Sequence, residues 1–236
     1  MSPVTKQLAG ALLTIGLLCD WVLFETLRIT VFNSSDAVYL NCGLSRHGIG
    51  SMGLWQLVSY AFFHSGWVHV AMNAILLLSV GVRLEWMLGR IGYGMVLLGG
   101  VLLGGVLHLM CSPNILVGGS GAVFAVLLCM MTLSPESKWL VPFPVSAKNL
   151  GRGIITASLL LLLINPELGL PGLSSLGGYL ADAGFGGLFR ISHACHLGGA
   201  LAGWLCALWV LRNRVTLEDL QRDRARREAG PDEENS

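Results

Sequence analysis

Residues 117–125 read VGGSGAVFA, which sets Ser120 among Gly118, Gly119 and Gly121. Glycine loses more backbone freedom on ordering than any other residue, so three of them make a poor helix start. Yet the stretch opens an apolar segment, Ser120 to Leu133, that closes at the polar SPESK. A helix over those positions is about 21 Å long at 1.5 Å per residue. A bilayer's hydrocarbon core is about 30 Å thick. If the helix ends at one membrane face, Ser120 lies about 9 Å beneath the other, reached by the non-helical CSPNILVGG. Irregular backbone survives at that depth only inside protein or beside a water-filled cavity. A hydroxyl beside water-accessible amides in such a place suits nucleophilic hydrolysis within a membrane. The alternative is an N-cap serine, with the glycines serving close helix packing.

The surrounding chain supports the membrane setting. Of 236 residues, 53% are apolar and only 12% charged. Soluble domains carry about 25% charged residues. Glycine is abundant, as where helices pack closely in lipid. The six cysteines form no CxxC and lie mostly in apolar segments, so they read as small buried residues. No nucleic-acid partner is expected.

The reading is an all-α, polytopic membrane protein with six transmembrane helices. The spans run about Leu8 to Phe32, Trp67 to Val82, Ile91 to Met110, Ser120 to Leu133, Leu150 to Ile164 and His193 to Leu211. The first is read as a retained span, not a cleaved signal. Together they make a membrane domain over 1–212, followed by a short charged tail over 213–236. Positive charge orients the map. With the N-terminus inside, 12 of the 15 Lys and Arg residues fall on the cytoplasmic side. Both termini are therefore expected in the cytoplasm. Two long connections, 33–66 and 165–192, fall on the other side; loops of that length are usually functional or mobile.

A serine needs a base before it can act as a nucleophile. Span six opens with SHACHLGGALAG. His196, Gly199 and Gly203 fall at i, i+3 and i+7, on one helical face. Gly199 and Gly203 form a GxxxG that admits another helix closely, and span four, with Gly121 and Ala125 four apart, is the natural partner. Span two opens with HSGWVHVAMN, where His69 and Asn73 are four apart on one face. Both can donate hydrogen bonds, as an oxyanion hole requires; polar residues bridging helices are the alternative. Zinc ligation by His64, His69, His193 and His196 is disfavoured, because HExxH is absent and His64 and His69 do not share a helical face. No metal and no cofactor are expected. The serine is also outside a G-x-S-x-G elbow, since Ala122 takes the last glycine's place.

Taken together, HSGWVHVAMN, GGSGAVFA and HACHLGGALAG resemble, in order and spacing, the rhomboid family of intramembrane serine proteases. LEWMLG and SPESKWLVPFPVSAK are similar to the family's connecting segments, and the likeness covers about Trp55 to Arg212. The resemblance implies a six-helix bundle and an endopeptidase that cleaves transmembrane segments of other membrane proteins in the bilayer. It makes Ser120 the nucleophile and His196 the general base and then acid. His69, Asn73 and the Ser120 N–H would hold the oxyanion. Gly118 and Gly121 flank the serine, and Phe124 would pack on the catalytic histidine. His64 and Glu85 would be structural. The family usually reads Trp-Arg where this chain has Trp55-Gln56, a departure that bears on loop anchoring more than on chemistry. No acid precedes His196 in an orienting position, so a dyad is expected, with Asp182 a remote alternative for a third member. The compact size suggests a prokaryotic plasma membrane.

Two other classes compete. A catalytically dead relative would bind transmembrane clients but lack the serine or the histidine. A small transporter or channel would use Asp20, Glu25 and His108, but the chain has no paired inverted-repeat signal.

Overall fold

The computed structural model describes residues 3–17, 35–141 and 143–213, with 221, 222 and 224 of the tail. The second half of the expected first span, with Asp20 and Glu25, and nearly all of the charged tail lie outside the described residues. The principal helices are α1 (Pro3–Leu17), α2 (Trp67–Leu76), α3 (Val82–Cys111), α4 (Ser120–Leu133), α5 (Ala147–Leu163) and α6 (His193–Arg212). A π-turn, Leu77–Gly81, joins α2 to α3 without ending the helix.

Among the described residues, two helical runs are long and apolar enough to cross a membrane: Trp67–Cys111 and His193–Arg212. The first spans 45 residues, about 68 Å if straight. It is not straight. Gly89 takes φ 71°, ψ 173°, outside helical geometry and in the half of φ space that glycine enters freely. Beyond it the chain folds back, because the Tyr93 hydroxyl sits against Gly81, a residue that a continuous helix would hold about 18 Å away. The run is thus a hairpin of two helices, which matches the separate second and third spans of the sequence reading.

A strictly all-α description needs one correction. After α4 the chain forms a two-stranded antiparallel sheet, β1 (Lys138–Val141) with β2 (Phe143–Ser146), in the register Lys138↔Ser146 to Val141↔Phe143. Trp139, Val141 and Val145 favour extended backbone, and proline at 142 and 144 opposes helix. The long connections also carry local structure. Short helices occupy Ser35–Cys42, Arg46–Gly50 and Gln56–Ser59 in the first, and Leu173–Leu180 in the other.

The core is α4, with α3 and α6 packed on it. Nearly every α4 side chain from Gly121 to Leu133 is buried, as expected for a helix that is apolar on every side. Outward faces of the neighbours are apolar as well. Trp86, Ile91, Met95 and Met110 of α3, and Trp204 and Trp209 of α6, are exposed. Soluble monomers rarely expose apolar patches on this scale.

Glycine lets the three helices meet backbone to backbone. A Cβ on Gly199 would collide with the Gly121 carbonyl, and one on Gly203 with the Ala125 carbonyl. On α3, a Cβ at Gly100 would fall 2.7 Å from the Gly121 carbonyl oxygen, and one at Gly104 would fall 2.9 Å from the Cys195 carbonyl oxygen. At the other end, buried Glu85 closes the start of α1. Its carboxylate accepts the Thr5 N–H at 2.9 Å, the Thr5 hydroxyl at 2.7 Å and the Val4 N–H at 3.3 Å. A carboxylate there meets orphan amides and the positive end of the helix dipole.

Candidate active site

The loop from Ser112 to Gly119 descends to the start of α4 and is held at several points. Leu44 and Leu116 exchange a pair of backbone hydrogen bonds, each 2.9 Å. The Gly118 N–H donates to the Tyr60 carbonyl at 2.9 Å, and the Gly119 N–H to His64 Nε2 at 3.3 Å. Gly118 has φ 123°, where a side chain would be strained. A Cβ there would also fall 2.6 Å from His69 Cε1 and 3.0 Å from its Nε2. Glycine at 118 is therefore required twice, by its φ and by the imidazole above it.

Ser120 is the first residue of α4, behind the N-cap Gly119. Its own N–H is one of the helix's orphan amides. Ser120 does not act as a cap here. Its Oγ lies 3.0 Å from His196 Nε2, on a helix 76 residues further along the chain. Both side chains are half-buried. The contact is possible because Gly199, one turn beyond His196, lies directly on Gly121.

For the Ser120 hydroxyl to donate to Nε2, the His196 proton sits on Nδ1. Among the described residues no carboxylate reaches this ring. Asp182 is exposed on the turn Ala181–Phe185. Instead the imidazole stacks on Phe124, with centroids 3.9 Å apart and planes 12° from parallel. His193 meets it edge-on at 5.9 Å, and is itself buried and held by the Leu188 carbonyl at 2.9 Å from Nε2.

The residues of α2 gather on the other side of the serine loop. Asn73 is buried and donates from Nδ2 to His64 Nε2 at 2.9 Å. One of its two amide hydrogens remains for another acceptor. The His69 ring is 5.0 Å from that of His64, edge to face, and its Nδ1 is 3.4 Å from Ser65 Oγ. His64 accepts two hydrogen bonds at Nε2, so its proton is on Nδ1, near the Phe62 carbonyl but without a well-formed bond to it. Burial, reinforced by His69, pushes the His64 pKa down to about 4. His64 is thus a neutral acceptor that joins Asn73 to the serine loop. Sequence spacing did not reveal that link, because His64 and Gly119 are 55 residues apart.

Gln56 also has a defined place. It is buried, accepts the Ser45 N–H at 3.2 Å, and donates to the Leu40 carbonyl at 2.9 Å and the Asn41 carbonyl at 3.3 Å. A neutral amide thus ties the first loop together at this position. Trp55 adds a bond to the Asn41 carbonyl at 2.8 Å, and Arg46 holds the last turn of α3 through the Leu109 carbonyl at 2.7 Å. Among the described residues, no three His, Cys, Asp or Glu side chains come close enough to hold a metal ion.

The sequence matches the Rhomboid domain over residues 51–213. The chain belongs to the rhomboid family. It is 30% identical over 158 residues to RHOMBOID-like protein 4 of Arabidopsis thaliana, covering 66% of this chain and 34% of that protein. RHOMBOID-like protein 2 of the same plant is 32% identical over 158 residues, covering 66% and 42%. Rhomboid protease GluP of Bacillus subtilis (strain 168) is 23% identical over 188 residues, covering 79% and 32%. The chain thus matches between about a third and two fifths of the length of these relatives. Rhomboid proteins are membrane-embedded, and the family comprises intramembrane serine proteases. Most of the relatives are plant proteins, so they lend no support to a prokaryotic setting.

Proposed function

We propose that this rhomboid-family protein is an intramembrane serine endopeptidase that cleaves transmembrane segments of membrane-protein substrates. The observation that carries the reading is the 3.0 Å approach of Ser120 Oγ to His196 Nε2, a hydroxyl within hydrogen-bond reach of a base. In this reading six spans cross the bilayer and both termini are cytoplasmic. The 165–192 connection lies on the side from which a substrate's unwound segment reaches Ser120.

The chemistry follows from the geometry. The Ser120 proton passes to His196 Nε2 as Oγ bonds to the scissile carbonyl carbon. The carbonyl oxygen becomes an anion, held by donors set in place beforehand: the Ser120 N–H, Asn73 Nδ2 and the His69 ring. Each such donor is worth about 3–4 kcal/mol in other hydrolases. His196 then returns its proton to the leaving amine as the C–N bond breaks. Water, deprotonated by the same ring, hydrolyses the acyl-enzyme and releases a carboxylic acid. Asn73 suits its part because His64 holds its amide in one orientation. Phe124 orients His196 where a third triad member otherwise would. The scissile segment must leave its helix first, and its freed amides would be costly in lipid. A half-buried serine beside backbone donors gives them a polar place to go.

A fluorophosphonate, which bonds covalently to an activated serine far faster than to an ordinary one, tests the assignment on the purified full chain. The expected product is a single adduct on the peptide that carries Ser120, lost in Ser120→Ala and in His196→Ala. An adduct on another serine, or full labelling of His196→Ala, would reject it.

A further inference from the structure

His108, on the last turn of α3, has no part in the chemistry just described, yet it is buried and hydrogen-bonded at both ring nitrogens. Nε2 lies 2.9 Å from the Asn114 carbonyl oxygen. A carbonyl can only accept, so Nε2 carries the proton. Neutral Nδ1 is then an acceptor, and the Ser192 hydroxyl, 2.7 Å away, donates to it. Ser192 is the N-cap of α6, and its oxygen accepts the Cys195 N–H at 3.2 Å. Its carbonyl accepts the N–H of His196 at 3.2 Å.

Two consequences follow from these bonds. Asn114 belongs to the loop that delivers Ser120, and Ser192 caps the helix that carries His196. A single imidazole therefore grips both halves of the dyad. The grip continues outward, since the Asn114 amide donates to both carboxylate oxygens of Glu167, at 2.8 and 2.7 Å, in the turn Pro166–Leu168 that opens the 165–192 connection.

We propose that His108 is a positioning residue that sets the approach of His196 to Ser120, by clamping the serine loop through Asn114 and the cap of α6 through Ser192. The glycine contacts set how close α4 and α6 lie. The clamp sets where along its axis α6 begins, and so the height of His196 beside Ser120. Glu167 ties the same clamp to the neighbouring connection. This inference rests on the dyad reading.

The test uses the full chain in detergent and the rate of fluorophosphonate inactivation, split into binding and the bond-forming step. His108→Ala should slow the bond-forming step about 100-fold, the scale of a 1 Å misplacement, with reagent binding unchanged. His108→Gln, which supplies one donor and one acceptor on a single planar group, should recover most of the rate. Ser192→Gly serves if His108→Ala does not fold. Glycine is a well-tolerated N-cap residue, yet it removes the hydroxyl that His108 holds. It should slow the same step to the same extent. Combined with His108→Ala it should add little, as for two members of one link. A wild-type bond-forming rate in folded His108→Ala or in Ser192→Gly would overturn the clamp. Loss of rate that His108→Gln does not recover would overturn it too. If Ser120→Ala still labels, the dyad reading has failed instead, and the two failures stay separate.

Discussion

The imidazole of His196 lies flat on Phe124, 3.9 Å between centroids and 12° from parallel, with no carboxylate at its Nδ1 among the described residues. In this arrangement an aromatic face, not an acid, sets the ring's orientation. An aromatic contact of this kind is worth about 0.5–1.5 kcal/mol. Phe124→Ala should therefore lower the turnover rate roughly two- to tenfold, while Phe124→Tyr stays near wild type. Rates of substrate cleavage by the folded variants check this. An unchanged rate in Phe124→Ala would remove the stack from the account.

Helix contacts make a graded prediction about glycine. A Cβ at Gly199 meets the Gly121 carbonyl, which belongs to a helix backbone and cannot swing aside. Gly199→Ala should cost about 1–3 kcal/mol, typical of overpacking, and should lower activity because Gly121 follows Ser120, the proposed nucleophile. At Gly99 of α3 a Cβ meets only the Ala202 Cβ, at 3.7 Å, an ordinary contact. Gly99→Ala should be neutral or stabilise by up to about 1 kcal/mol. Denaturation midpoints of the two variants in one detergent give the comparison. Equal effects would mean that the glycine seam does not hold these helices as described.

Acid should loosen the site through His64. Its pKa lies at about 4, below the ordinary 6.5, because burial and the nearby His69 disfavour its charged form. The unfolded chain therefore takes up a proton at higher pH than the folded one. The stability this contributes is present above 6.5 and is lost as pH falls toward 4. A proton on Nε2 would also repel the Asn73 amide and the Gly119 N–H that it now accepts. Melting temperature measured between pH 7 and 4 should fall, with a shallower slope in His64→Gln. The same slope in that variant would place the acid sensitivity elsewhere.

Gln56 makes three buried hydrogen bonds within the first loop. Gln56→Ala leaves the Ser45 amide and two carbonyls without this partner, at about 1–3 kcal/mol for each group that water cannot reach. Its effect should appear in the melting temperature more than in fluorophosphonate labelling of Ser120. A variant that melts like wild type would show that the loop is anchored by other contacts.

Local signals carried much of this structure. Apolar length and the following SPESK mark α4 from Ser120 to Leu133, the bounds it takes in the structure. Small-residue spacing marks Gly199 and Gly203 as a contact face, and both lie on the α4 backbone. These features are legible because hydropathy and glycine act on their own neighbourhood. The reversal at Gly89 was visible only as a gap between two spans, since nothing in LEWMLGRIG gives its angle. The β1–β2 sheet was missed because a short apolar stretch with prolines also reads as loop. Most opaque were links between distant residues: His64 with Gly119, and His108 with both Asn114 and Ser192. In the sequence His108 looks like one polar residue in an apolar run. The sole local hint was Ser192, a capping type just before the apolar face of α6.

The most direct test of the account is cleavage of a model transmembrane-helix substrate by the purified full chain in liposomes. The wild-type chain should cut within or beside the membrane segment. Ser120→Ala and His196→Ala should each leave the substrate whole, and a chelator should leave wild-type cleavage unchanged. Cleavage by either alanine variant at the wild-type rate, or no cleavage by a wild-type chain that a fluorophosphonate also fails to label, would contradict it.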